Sequence, residues 1–193
     1  MSLQKSWVSA LTGCGVVLLL STEIRADDWL QGSFEVTGGG TISFEFPKSW
    51  GKKPTHDRNE SILDINFGPY GPKSKPQFLV HIQALVAVDP ISNPALKNLA
   101  KTEVENFKTT AFETDIPIND FEGPNIVGHY FSITDRESKR GEFDYLTMAV
   151  ISSGRLLVKC YFFSSDGAPD YGADAMQMMK SINYTAPPEP KKK

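Results

Sequence analysis

Leu156-Leu157-Val158-Lys159-Cys160-Tyr161-Phe162-Phe163 is the stretch that decides the fold. Its alternation puts Leu156, Val158, Cys160 and Phe162 on one face and Leu157, Lys159, Tyr161 and Phe163 on the other, the period of a β-strand. Two more apolar-rich runs precede it, Asn125 to Asp135 and Glu142 to Ile151. Only Asp135-to-Gly141 and Ser152-Ser153-Gly154 separate the three. Short turns between consecutive strands imply an antiparallel meander, because a parallel crossover needs a dozen or more residues.

Working outward, Gln77 to Val88 reads as a further strand whose opposite face, Leu79, His81, Gln83 and Leu85, is also partly covered. Asn93 as N-cap and Pro94 at the first helical position then start a helix. Leu96, Leu99, Ala100, Val104, Phe107 and Ala111 form its buried stripe. Upstream, Asp27 to Phe46 reads as a hairpin around Gly38-Gly39-Gly40, since glycine accepts positive φ. A short strand is expected at Ile62 to Phe67. Downstream, a last helix runs from Pro169 to about Ser181, with Tyr171, Ala175, Met178, Met179 and Ile182 as its buried stripe. Its Met-rich side could line a ligand groove, although at helical spacing it reads first as core.

The first 26 residues give an address. Lys5 precedes an apolar run from Trp7 to Leu20, and Ile24 and Ala26 stand at −3 and −1 of a cut before Asp27. That is the layout of a secretory signal peptide, and it implies a periplasmic or secreted protein. Leu11-Thr12-Gly13-Cys14 resembles a lipoprotein signal, but here the strongest apolar stretch follows the Cys. The run is also shorter than the ~20 residues of a spanning helix. Domain organisation is therefore a signal peptide at 1–26, one α+β domain over 27–186 and a disordered tail at 187–193.

Cleavage removes Lys5, Arg25 and Glu23 and moves the net charge from −3 to −4. No basic stripe speaks for nucleic acid. One cysteine, Cys160, remains, so no intramolecular disulfide forms, and its strand position reads as a small buried hydrophobe.

The order of hairpin, irregular loop, strand, helix, three-strand meander and C-terminal helix resembles the PsbP-like domains. The resemblance rests on Thr41-Ile42-Ser43-Phe44-Glu45-Phe46-Pro47-Lys48-Ser49-Trp50, on Phe143-Asp144-Tyr145-Leu146 with Leu156 to Tyr161, and on Met179-Lys180-Ser181-Ile182. It implies a central antiparallel sheet with helices on its faces, and binding or assembly rather than catalysis.

The search for chemistry agrees. His56, His81 and His129 show no metal-ligand spacing, though His56-Asp57 near Glu60 is the best metal candidate. Glu142 and Asp144 would share one face of a strand as an exposed edge. There is no Gly-x-Ser-x-Gly or His-Glu-x-x-His motif. The reading is a non-enzymatic exported domain without cofactor or metal that binds a protein or small molecule. The alternatives are a hydrolase using unrecognised carboxylates or His56, and a structural subunit of an envelope assembly. Pro47 to Pro76 is the expected partner surface. It is Pro-rich and locally basic, and Trp50, Tyr70, Lys52, Lys53 and Arg58 are its candidate contacts. The opposing expectation for Trp50 is that it tucks back onto the core.

Overall fold

A computed structural model describes residues 29–50, 55–58, 63–67, 78–139, 142–165 and 171–188. The expected leader and the tail from 189 lie outside these residues. In chain order the elements are β1 (Trp29–Glu35), β2 (Thr41–Pro47), β3 (Thr55–Arg58), β4 (Leu63–Phe67) and β5 (Phe78–Val86). Then come α1 (Asn93–Phe107), β6 (Asn119–Gly123), β7 (Ile126–Thr134), β8 (Tyr145–Ser153), β9 (Leu156–Ser164), α2 (Gly172–Lys180) and β10 (Asn183–Thr185).

The chain is an α+β fold with helices packed on a central antiparallel sheet. That sheet has the order β3-β4-β5-β9-β8-β7-β6, and each neighbouring pair is antiparallel. The expected three-strand meander is in fact β6 to β9. β5 joins its open side by pairing with β9, Phe78 opposite Ser164 through Val86 opposite Leu156. The chain therefore leaves β5, crosses as α1 and re-enters at the far edge as β6.

Apolar side chains on both faces of β9 require cover on both sides. One side is covered by α2 and a small sheet ordered β1-β2-β10. There Phe34, Ile42, Phe44 and Phe46 meet Val80, Ile82, Val158, Cys160 and Phe162 in one core. On the other side α1 packs on β7 and β8, and Leu96, Ala100 and Val104 meet Phe131, Leu146, Met148 and Val150.

The hairpin turn follows the glycines. Gly38, Gly39 and Gly40 hold φ of 93°, 98° and 89°, and Val36 N–H donates to Gly40 O at 3.0 Å. A Cβ on Gly40 would lie 2.6 Å from Thr185 O, so close approach of β10 adds a second reason for glycine there. Tyr184 Oη donates to Gly39 O at 2.9 Å and pins β10 to the turn.

Several boundaries differ from the sequence reading. The N-cap of α1 is Ser92, not Asn93: Ser92 has extended backbone, and its Oγ accepts Ala95 N–H at 3.4 Å. Ala111 lies beyond α1, bridging Asp135, yet stays in the same core. β3, β6 and β10 were not anticipated. Glu142 and Asp144 precede β8, so they do not form the expected strand edge. Pro187 sits beside Gly39, and the described chain continues two residues, Pro187 and Pro188, into the expected tail.

Trp50 settles the question the sequence left open. Pro47 ends β2, a single 3-10 turn at Lys48–Trp50 follows, and the indole is 3 % exposed. Its ring lies 5.1 Å from that of Phe78, and Phe78 in turn contacts Tyr171 at 4.5 Å. Replacing Trp50 with Ala is therefore expected to cost about 3–5 kcal/mol in urea unfolding; a loss below about 1 kcal/mol would remove it from the core. Cys160 is fully buried, and burial pushes its thiol pKa well up. A thiol reagent should accordingly label native protein far more slowly than protein in denaturant; equal rates would contradict this packing.

Candidate functional site

Of the candidate contacts on the expected partner surface, the described residues place the side chain of Trp50 alone. Trp50 belongs to the core and is no surface anchor, because the short turn after β2 folds it back over β5. Arg58 and His56 lie on β3, and their side chains fall outside the described residues, as do Lys52, Lys53 and Tyr70 altogether. Among the described residues no group of His, Cys, Asp and Glu could hold a metal ion.

Glu142 and Asp144, and Asp135 with them, serve local structure. Asp144 Oδ1 accepts from Ser138 Oγ at 2.6 Å, Glu142 Oε2 from Lys139 N–H at 2.9 Å and Asp135 Oδ1 from Glu137 N–H at 2.9 Å. Glu113, which the sequence did not single out, receives the Thr134 amide at 2.9 Å and its hydroxyl at 2.8 Å. Burial opposes its ionisation, but these hydrogen bonds outweigh burial and hold its pKa below the usual carboxylate range.

His81 and His129 do not meet, because β9 and β8 stand between their strands. His129 is buried on β7, and neither ring nitrogen has a hydrogen-bond partner among the described residues. Its Nδ1 comes within 3.1 Å of Asp120 Oδ1 without hydrogen-bond alignment.

The residues that come together at a surface are on β5 and β9. Because α1 lies over β7 and β8, the adjoining strip of the same sheet face stands at the helix margin, where Leu157, Tyr161 and Phe163 pack partly against the α1 core. The register sets Leu79 opposite Phe163, His81 opposite Tyr161, Gln83 opposite Lys159 and Leu85 opposite Leu157. All eight side chains are half-buried. A row of rings runs along the strip: His81 to Tyr161 at 5.7 Å, Tyr161 to Phe163 at 6.4 Å and nearly parallel, and Phe163 to Phe143 at 5.7 Å.

An ion pair also ties the strip to α1. Lys159 Nζ donates to Glu103 Oε1, and Glu103 is a buried carboxylate on the helix's inner side. Removing either partner would strand the other charge in a partly dry site. Burial, then the negative charge of Glu103, then Cys160 raise the Tyr161 pKa to about 12. The arrangement offers flat aromatic contact area, one phenol that stays protonated, and a cation already neutralised. It suits recognition better than proton transfer near neutral pH.

The sequence carried part of this signal. Both β5 and β9 are apolar on both faces, and a single helix cannot cover a sheet this wide. What it lacked was the register that sets the two strands side by side.

No protein-family model and no curated protein matches the chain. Among solved structures it is similar to a chain from Bacteroides thetaiotaomicron VPI-5482, determined at 1.50 Å. The identity is 14 % and the TM-score 0.34, over 79 % of this chain and 47 % of that one.

The Tyr161 environment sets a pH dependence. The folded chain holds this phenol proton up to about pH 12, whereas the unfolded chain releases it near 10. Above pH 10 the unfolded state therefore binds fewer protons and stability falls with rising pH; below 10 the group contributes no slope. Urea unfolding of wild type and Tyr161→Phe should show a constant difference up to pH 10. Between 10 and 12 that difference should move in favour of the variant. A difference that stays flat to pH 12 would contradict the assignment.

Proposed function

We propose that this chain is an exported binding or assembly domain, periplasmic or secreted, that meets a protein partner through the β5/β9 strip beside α1. One observation carries the reading: the paired strands present Leu79, Leu85, Leu157, Tyr161 and Phe163 half-open to solvent. The solvated face of an antiparallel sheet ordinarily alternates to polar residues. Together these leucines and rings have the apolar and aromatic content of an interface core. Its flatness favours a protein surface over a small molecule, which needs a concave site. The resemblance to PsbP-like domains and the N-terminal leader support the same reading. No described helix is long and apolar enough to cross a membrane.

The test compares tagged full-length wild type with Tyr161→Ser and Phe163→Ser after export. Each substitution should reduce recovery of the co-purifying partner on the order of ten-fold or more, as expected for aromatic anchors. Melting temperature, measured in parallel, should stay within a few degrees of wild type. Partner recovery unchanged in both variants would overturn the proposal.

A further inference from the structure

On the opposite face of the large sheet, α2 does not close fully against β7, β8 and β9. A cleft of about 150 Å³ remains, lined by Tyr130, Ser132, Thr147, Phe162, Met176 and Met179. Its floor is a register row: Ser132 pairs with Thr147 and Thr147 with Phe162, so two hydroxyls and a phenyl ring stand side by side across three strands. Its roof is α2, where the small side chain of Ala175 leaves the space.

The lining fixes what fits. No lining residue is charged, so an ionic ligand would lose hydration without compensation. One end is apolar and soft: Phe162 and the thioethers of Met176 and Met179, groups that pack well on aromatic rings. The other end is polar. Ser132 Oγ and Thr147 Oγ1 share a hydrogen bond of 2.8 Å. That uses one of their two hydrogens and leaves lone pairs and a donor for a ligand. The Tyr130 hydroxyl has no hydrogen bond among the described residues, and its ring is held edge-on by Phe121 at 6.0 Å. A space near 150 Å³ is about the size of a cavity that accepts a single aromatic ring. We propose that this cleft binds a neutral phenol ring, its face against the α2 methionines and its hydroxyl on the Ser132–Thr147 pair. The ring can come from a free phenol or from a tyrosine side chain of another chain. The site is independent of the β5/β9 strip, which lies on the other side of the sheet.

The test is a titration of the full-length chain, methyl-labelled at methionine, with p-cresol, toluene and N-acetyl-tyrosinamide. p-Cresol should shift the Met176 and Met179 methyl signals saturably. The signal of Met148, fully buried on the far face, should stay still. Toluene, lacking the hydroxyl, should bind about 3- to 10-fold more weakly, and Thr147→Val should erase that preference, as loss of one hydrogen bond implies. Binding of N-acetyl-tyrosinamide as well as p-cresol supports the site with a tyrosine side chain as source; binding of p-cresol alone supports it with a free phenol. Absence of a saturable shift at Met176 and Met179, or equal affinity for toluene and p-cresol in wild type, overturns the proposal.

Discussion

The antiparallel pairing of β9 between β5 and β8 is the constraint on which the rest of this structure depends. β9 buries Leu156, Val158, Cys160 and Phe162 on one side almost completely. It carries Leu157, Tyr161 and Phe163 on the other. A strand that is apolar on both sides is costly at a sheet edge and favours cover on both faces, so a layer forms on each side of it. The small sheet with α2 makes one and α1 makes the other. Register then follows, because a one-residue slip would bring Lys159 into the core with Cys160's neighbours and send Cys160 outward.

The two covers are unequal, and that inequality creates both proposed sites. The small sheet is anchored at several points: Glu45 N–H donates to Ser181 Oγ at 2.8 Å, and Tyr184 holds the Gly38–Gly40 turn. It seals β5 and β9 well but leaves room where the nine-residue α2 begins over β7 and β8. On the other side α1 sits over β7 and β8 and stops short of β5. The same central strand is thus sealed on one face and only partly covered on the other. The Glu103–Lys159 pair marks the boundary, since it lets the helix margin carry a charge inward without leaving it unbalanced.

Much of the fold was legible in local pattern. Alternation in β5, β7 and β9, the glycine triplet and the Leu96–Ala100–Val104 stripe each specify an element from nearest neighbours in the chain. The missed elements have a common cause. β6 and β10 are short, and β3 hid in a Pro-rich stretch; each exists because a partner strand offers its free N–H and C=O groups, not because its own side chains alternate. Asn93 looked like a cap because Pro94 follows it, but Ser92 has the extended backbone and the hydroxyl in reach of Ala95.

The sequence by itself determined the fold class, the meander and the burial of Cys160, because side-chain period and turn chemistry act over a few residues. Tertiary structure alone decided where Trp50 points. A Pro-x-x-Trp ending is compatible with an exposed anchor or a core plug, and only the position of Phe78 on β5 distinguishes them. It also decided the candidate sites. Tyr161 beside His81, and Ser132 beside Thr147 beneath Met176, are neighbours through strand register and helix placement. Those contacts join residues far apart in the chain, which no local pattern encodes.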